Sequence, residues 1–203
     1  VQGIDEAPAE YKDMITYDHV SFSYYSGNAL KDVSFNVLPG KTIGIIGGTG
    51  SGKTTLINLI PRFYDVSAGE IRIKDIPIKN YKFEDLRNMI GIVPQQATLF
   101  GGTIRENMLW GNPHATDEEI YQALEISQSK EFVDKMSEGL DTYIEQGGKN
   151  VSGGQRQRLT IARALVGNPS IVVLDDSASA LDFLTAEGND KFSAKISVNN
   201  EES

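Results

Sequence analysis

The feature that most constrains this chain is a glycine-rich segment that follows a short apolar run. Gly47 to Thr54 reads Gly-Gly-Thr-Gly-Ser-Gly-Lys-Thr and matches the pattern G-x-x-x-x-G-K-[ST]. The preceding run, Ile43 to Ile46, is typical of a strand, and apolar residues recur at helical spacing after Thr54. Glycines let successive backbone N–H groups point at phosphate oxygens, and the following helix adds a partial positive charge. The segment therefore predicts a phosphate-binding loop between a strand and a helix.

The residue types within this loop suit different chemical roles. The Lys53 ammonium supplies a point charge for β- and γ-phosphates, and the Thr54 hydroxyl can ligate Mg²⁺. We expect phosphate groups to contact the whole run Gly47, Gly48, Thr49, Gly50, Ser51, Gly52, Lys53, Thr54 and Thr55. The strand and helix on either side disfavour the alternative of a glycine-rich turn that matches by chance. A phosphate loop alone could still belong to a kinase, a GTPase or an ATPase.

Composition excludes several other classes of site. The chain has 203 residues, with 19 Lys+Arg against 28 Asp+Glu and a net charge of −9. This acidic balance argues against a dedicated nucleic-acid binder, whose surface is basic. Since the chain has no Cys, it has no disulfide, thiolate zinc site or Cys nucleophile. No apolar run approaches the roughly 18 residues of a bilayer-spanning helix.

Hydrophobic periodicity predicts an α/β fold. The helix after Thr54 should bury Leu56, Leu59, Ile60 and Phe63, with a kink at Pro61. Capping-box spacings predict that two further helices begin at Thr116 and Ser152. Strands are predicted, by alternation or by continuous apolar character, at Val20 to Tyr24, Val33 to Val37, Ile71 to Ile78 (a hairpin), Ile90 to Val93 and Ile171 to Leu174.

Two later segments narrow the functional class. Val151 to Gln155 reads Val-Ser-Gly-Gly-Gln at a helix N-terminus, where two glycines let a second anion approach closely. An ordinary capped helix start is the alternative. The strand that ends at Leu174 is followed by Asp175 and Asp176, and a carboxylate there can hold Mg²⁺ or its water.

Together these segments resemble the nucleotide-binding domain of an ABC transporter, a P-loop NTPase with a RecA-like core, an antiparallel β portion and a helical subdomain. The resemblance covers roughly residues 17–182. Leu59 to Asp65 and Leu99 to Asn107 resemble multidrug or peptide exporters more than importers. The five matching features, in chain order, are the Walker A loop, Gln95 after Val93-Pro94, the signature Val151 to Gln155, the Walker B strand, and Ser179-Ala180-Leu181-Asp182 as the D-loop.

The resemblance implies roles for single residues. Tyr24 would stack on adenine, with Tyr25 as a weaker candidate, although a strand aromatic that packs in the core is the alternative for Tyr24. Gln95 would reach Mg²⁺ and the attacking water, and its neighbour Gln96 could be confused with it. Asp175 would be the carboxylate associated with Mg²⁺. The implied metal set is therefore Thr54, Gln95 and Asp175, and the implied catalytic set is Asp176, Gln95 and Lys53.

The resemblance also implies cofactors and partners. The cofactors would be ATP and Mg²⁺, and nucleic acid would not be a partner. Ser152, Gly153, Gly154 and Gln155 would bind ATP held by a second nucleotide-binding domain, in a homodimer or a heterodimer. Phe100 to Gly111 lies where the family docks its transmembrane domain. The implied location is the cytoplasmic face of the cell membrane.

Two departures from the family pattern affect the expected activity. The residue after Asp175 is normally a Glu that polarises the attacking water, but here it is Asp176, one methylene shorter. A misplacement on that scale can cost ~10²-fold in rate. After about Thr185 the resemblance ends, and 186–203 reads as a polar tail without the family's apolar strand or switch histidine. We therefore expect the C-terminal part of the fold to be missing, with a gap in the sheet between the Walker A and Walker B strands.

The resemblance divides the chain into five parts. Residues 1–18 would be a linker from a preceding, absent transmembrane domain. Residues 19–93 would be the nucleotide-binding core, 94–164 the helical subdomain with the signature, 165–185 the Walker B and D-loop part, and 186–203 the tail.

The leading hypothesis for function is an ATP-binding, weakly hydrolysing exporter domain that powers transport by ATP-driven dimerisation. The alternatives are a truncated, nonproductive fragment that binds a partner or nucleotide, and a soluble ATPase of the same family acting on nucleic acid or ribosomes. The acidic balance and the exporter-like segments disfavour the last of these.

Overall fold

The computed structural model describes residues 10–25, 27–175, 192 and 194–200. Its strands are β1 Ile15–Tyr24, β2 Gly27–Val37, β3 Lys41–Gly47, β4 Ala68–Ile73, β5 Ile76–Pro77, β6 Ile90–Val93, β7 Gly102–Thr103, β8 Tyr143–Ile144, β9 Ile171–Asp175 and β10 Ala194–Asn200. Its α-helices are α1 Lys53–Leu59, α2 Phe83–Asn88, α3 Ile104–Leu109, α4 Asp117–Ile126, α5 Lys130–Asp134 and α6 Gly153–Leu165. Single 3₁₀ turns occur at Ile78–Asn80 and Gly139–Asp141.

A parallel sheet forms the centre of the molecule, in the strand order β3-β10-β9-β6. On β9, Ile171 and Val173 pack into one hydrophobic cluster, whereas Val172 and Leu174 pack into another. This strand is therefore buried on both faces, as its continuous apolar run predicted. The first cluster also contains α1, and the second contains α6 and the other helices of its region.

The predicted gap in this sheet is absent, and that expectation was wrong. β10 fills the position, since Ile196 lies opposite Ile43 of β3 and Val173 of β9 in parallel register. Ile196 is fully buried, whereas Lys195 and Ser197, also buried, alternate with the apolar residues along the strand. Only one face of β10 is thus apolar, which is why its sequence did not look like a central strand. Two neighbouring strands satisfy its backbone hydrogen bonds, so few apolar side chains suffice.

A second, antiparallel sheet has the order β2-β1-β4-β5 and shares its core with α1. The predicted hairpin is confirmed, because β4 pairs with β5. β1 begins at Ile15, inside the segment expected to be a linker up to residue 18. Met14 and Ile15 are fully buried, and the buried Tyr17 hydroxyl donates to the Leu56 carbonyl oxygen of α1 at 2.7 Å. Residues 14–17 therefore belong to the core and not to a linker.

The helical region between β6 and β9 has its own hydrophobic cluster, to which α3, α4, α5 and α6 contribute. Both predicted capping boxes are confirmed. The Thr116 side chain accepts from the Glu119 N–H, and the Ser152 side chain accepts from the Gln155 N–H at 3.1 Å. Gly167, with φ of +84°, follows α6 and has the left-handed conformation in which many helices end.

The helix after the phosphate loop is shorter than predicted. α1 ends at Leu59, two residues before Pro61, instead of continuing with a kink. Leu56, Leu59 and Ile60 are buried as predicted, but Phe63 lies beyond the helix and is 52% exposed. Proline favours an end here because it cannot donate a helical hydrogen bond, and the apolar spacing to Phe63 was therefore misleading.

Candidate functional site

The loop from Gly47 to Lys53 connects β3 to α1, as predicted. Gly50 and Gly52 have φ angles of +80° and +91°, a region that favours glycine. A Cβ on Gly52 would also lie 2.6 Å from the Ala29 carbonyl oxygen of β2. Glycine is thus required at Gly52 both by backbone conformation and by space.

Lys53 is the first residue of α1, at the end of this loop, and is 9% exposed. Its ammonium donates to the Gly47 carbonyl oxygen, to the Gly48 carbonyl oxygen at 2.7 Å and to the Ser51 Oγ at 3.2 Å. These neutral acceptors hold the Lys53 ammonium against the backbone of the loop. Anionic phosphate oxygens would form stronger, charge-assisted hydrogen bonds with the same ammonium.

A cavity of about 530 Å³ opens beside the loop and gathers most of the predicted site residues. It lies at the carboxyl ends of β3, β6 and β9, the edge at which open α/β sheets bind ligands. Its lining residues are Tyr24, Ala29, Thr49, Gly50, Gly52, Lys53, Thr54, Thr55, Gln95, Asp175 and Val198. Residues far apart in the sequence thus surround one space next to the phosphate loop.

The cavity contains the oxygen ligands that Mg²⁺ prefers. Thr54, Gln95 and Asp175 all line it, and they offer a hydroxyl, an amide carbonyl and a carboxylate. Within the described ranges there is no group of three or more His, Cys, Asp or Glu that could hold a metal alone. Mg²⁺ typically keeps several waters and binds through one or two carboxylates plus substrate phosphates, so this ligand set fits it. Asp176 and the D-loop residues 179–182 lie outside the described residues.

The structure separates the two tyrosines proposed for the base. Tyr24 lines the cavity, is 38% exposed, and its hydroxyl lies 3.2 Å from the Thr55 Oγ1. Tyr25 is fully exposed. The geometry therefore favours Tyr24 as the aromatic that a nucleobase could contact. Its ring also packs edge to face against the buried Phe22, so Tyr24 contacts both the core and the cavity.

The signature residues lie apart from this cavity. Ser152, Gly153 and Gly154 are exposed at the N-terminus of α6. A Cβ built on Gly153 or Gly154 would meet no atom of the described chain within 4 Å. Gly153 lines a different cavity of about 390 Å³, which also contains Gln95 and Gln96. The chain thus presents two separate candidate anion sites, with Gln95 adjoining both.

The segment predicted to dock a membrane domain, Phe100 to Gly111, has an exposed aromatic surface. Trp110 is 68% exposed, and its ring stacks on Phe100 with 4.5 Å between centroids. The buried Asn107 side chain fixes the Phe100 backbone: its Oδ1 accepts from the Phe100 N–H and its Nδ2 donates to the Phe100 carbonyl oxygen, each at 2.9 Å. Trp110 and Phe100 thus form a stacked aromatic pair at the surface of this segment.

Sequence reasoning missed Val198 and Ala29 as lining residues. Val198 belongs to β10, and the alternation of Ile196 and Val198 was a weak signal for that strand. Ala29 lies in β2, and nothing in its own sequence context indicates that it approaches Gly52. Its position follows from the packing of β2 against the loop.

The chain matches one family of known proteins over most of its length. A family profile described as ABC transporter covers residues 30–179. A Staphylococcus aureus protein named as a multidrug export ATP-binding/permease protein is 45% identical over 183 residues, which is 89% of this chain and 32% of that protein. A Bacillus subtilis protein named as an ABC transporter ATP-binding protein is 49% identical over 173 residues, 84% of this chain and 30% of that protein. The chain therefore spans about a third of the length of the curated relatives it matches.

A solved structure shows the same fold. It is described as a bacterial Atm1-family ABC exporter with ATP bound, and it superposes with a TM-score of 0.80 at 33% identity. The match covers 98% of this chain and 37% of the other. Across residues 10–25, 27–175, 192 and 194–200, no helix has the length and hydropathy needed to cross a bilayer. The matching profile, the relatives and the shared fold together show that this chain belongs to the ABC transporter family and carries its ATP-binding domain.

Proposed function

We propose that this chain binds ATP with Mg²⁺ in the 530 Å³ cavity and hydrolyses it slowly, as the cytoplasmic motor domain of an exporter. The observation that carries the proposal is the convergence of Tyr24, the phosphate loop, Gln95 and Asp175 on one space. Tyr24 offers a surface for the base, Lys53 binds the β- and γ-phosphates, and Thr54 lies at the start of α1 beside them. Relatives named as exporters support the direction of transport.

Bound Mg²⁺ would neutralise charge on the β- and γ-phosphate oxygens, and Thr54, Gln95 and Asp175 would hold it. The Gln95 side chain would orient the water that attacks the γ-phosphorus in line with the bond to the leaving ADP oxygen. Asp176 would polarise this water. Since its carboxylate is one methylene shorter than that of Glu, we infer slow hydrolysis at this site.

The exposed N-terminus of α6 would complete the site of a second nucleotide-binding domain. Ser152, Gly153 and Gly154 are exposed, and Gln155 is half-buried. The space in front of the two glycines is open within the described chain. A γ-phosphate held by a partner could approach these backbone N–H groups. We infer that ATP joins two such domains, whether identical or different, and that hydrolysis separates them.

The aromatic surface of Phe100 and Trp110 would contact a transmembrane domain. This contact would place the chain at the cytoplasmic face of the cell membrane. Residues 94–164 would form the helical subdomain, which carries both this aromatic surface and the start of α6 that faces the second nucleotide-binding domain. Closure of the two nucleotide-binding domains would then move the membrane domains through this contact.

The first test is thermal unfolding of the chain with and without MgATP, beside Lys53→Ala. A ligand at 100 times its dissociation constant should stabilise the folded state by ~2.7 kcal/mol. We expect the melting temperature of the wild type to rise with MgATP and that of Lys53→Ala to stay unchanged. Lys41→Ala, at an exposed lysine of β3, is the control that should behave as wild type.

The alternative of a nonproductive fragment predicts a different result. It rested on a missing central strand, and β10 fills that position. The absence of a cooperative melt would favour the fragment. A cooperative melt that MgATP does not raise would contradict ATP binding. An equal rise in wild type and Lys53→Ala would contradict binding at this loop.

A further inference from the structure

A second tyrosine contacts the one that faces the cavity. Tyr64 follows α1 and is 44% exposed, yet it is absent from the cavity lining. Its ring meets the Tyr24 ring edge to face, with centroids 5.5 Å apart and planes at 85°. Such pairs contribute free energy beyond the area they bury. Tyr64 can therefore restrain Tyr24 without itself lining the cavity.

Tyr24 needs such a restraint because it lies at the end of a strand. It is the last residue of β1, and the next residue, Tyr25, is fully exposed. Phe22, which is 6% exposed, touches the Tyr24 ring at 4.8 Å and 88°. The Thr55 Oγ1 lies 3.2 Å from the Tyr24 hydroxyl oxygen. Tyr64 adds a contact from a third segment of chain, and it also touches Phe22 at 5.5 Å.

The turn after α1 directs Tyr64 specifically toward Tyr24. Arg62 has a φ of +57°, and its Nε donates to Asp65 Oδ1 at 2.6 Å, which closes the turn around two aromatic residues. The first of these, Phe63, lies under the Arg87 guanidinium at 5.4 Å. The second, Tyr64, turns to Tyr24. Adjacent exposed aromatics thus point to different partners.

We propose that Tyr64 is a positioning residue that holds the Tyr24 ring ready to stack on the nucleobase. The inference rests on the proposed ATP site and extends it to a residue outside the cavity. Restricting a side chain before binding lowers the ordering cost of association. Loss of Tyr64 should therefore weaken the contribution of the base to affinity and leave the contribution of the phosphates intact.

The experiment compares two ligands in Tyr64→Ala and in wild type. MgATP carries the base, whereas magnesium tripolyphosphate carries only the phosphate chain. The measurement is the dissociation constant of each ligand for the 203-residue chain, by isothermal titration. From the usual strength of an aromatic pair, we expect the affinity for MgATP to fall about 2- to 10-fold. The affinity for tripolyphosphate should stay unchanged.

Three further variants separate positioning from a general effect on folding. Tyr64→Phe keeps the ring and should restore the affinity for MgATP. Phe63→Ala removes the neighbouring exposed aromatic, which contacts Arg87, and should leave both affinities unchanged. In a Tyr24→Ala background, Tyr64→Ala should cause no further loss, because the ring that it positions is gone.

The possible outcomes distinguish this inference from the proposed function. The positioning role would be overturned if Tyr64→Ala left both affinities unchanged. It would also be overturned if both affinities fell by the same factor. A further loss in the Tyr24→Ala background would also overturn it. If the wild-type chain binds neither ligand, the proposed ATP site fails and this inference fails with it.

Discussion

The beginnings of helices α1 and α6 both present backbone N–H groups that could receive phosphate, but they are built differently. At α1 the capping position is Gly52, which has a φ of +91° and no side chain to occupy the helix end. At α6 the capping residue is Ser152, whose Oγ accepts from Gln155 N at 3.1 Å. The Gln155 Oε1 in turn accepts from Ser152 N at 3.0 Å.

The surroundings of the two helix starts also differ. The start of α1 adjoins a cavity that also contains Tyr24, Gln95 and Asp175, and the loop carries its own cation, Lys53. The start of α6 is exposed and is stabilised by its own side chains. A helix end that its own side chains stabilise needs no bound ligand to form. The comparison thus supports one whole site, the cavity beside the start of α1, and one half site, the start of α6, whose ligand a second domain would carry.

The largest expected effect concerns hydrolysis at the whole site. Asp176→Glu lengthens the carboxylate by one methylene, and we expect it to raise the ATPase rate by up to ~10²-fold. The measurement uses the assembled transporter with the partner's site disabled. Asp134→Glu, the same change on the exposed α5, should leave the rate unchanged. An unchanged rate in Asp176→Glu would show that the short carboxylate does not limit this site.

A pair of glycine substitutions tests the two helix ends directly. Gly52→Ala forces a Cβ onto a left-handed residue 2.6 Å from the Ala29 carbonyl oxygen. It should lower the free energy of unfolding by about 2 kcal/mol, measured in urea, and weaken MgATP binding. Gly154→Ala has open space within the described chain and should leave stability unchanged or raise it by up to about 1 kcal/mol. Equal losses in both variants would contradict the difference between the ends.

The smallest effect concerns the cap of the half site. Ser152→Ala removes one capping box and should lower the free energy of unfolding by about 1 kcal/mol. Thr116→Ala removes the equivalent cap of α4 and should cost a similar amount. Only Ser152→Ala should also reduce ATP-dependent association with a second domain, measured by analytical ultracentrifugation. If both variants associate normally, the start of α6 does not contact the partner's nucleotide.

Local patterns predicted some elements well. The phosphate loop, the hairpin β4–β5 and the two capping boxes depend on residues within a few positions of one another. The strand β9 was recognisable because both of its faces are apolar. In each case the residues that specify the structure are adjacent in the chain, so the sequence shows them together.

Other elements were hidden because their stability comes from distant residues. β10 alternates buried polar and apolar side chains and was read as a tail, although β3 pairs with it along its length and β9 pairs with residues 194–198. β1 begins earlier than expected because Met14 and Ile15 pack into a core that only the folded chain assembles.

By itself, the sequence of this protein determined the phosphate loop, the signature at the start of α6 and the carboxylate that ends β9. These are short segments whose chemistry depends on consecutive residues. Only the tertiary structure decided that Tyr24, Gln95 and Asp175 share one cavity, that β10 completes the central sheet, and that Tyr64 rather than Phe63 touches Tyr24. The physical reason is that pairing of distant strands and the direction of an exposed ring are set by nonlocal contacts. No local pattern encodes such contacts.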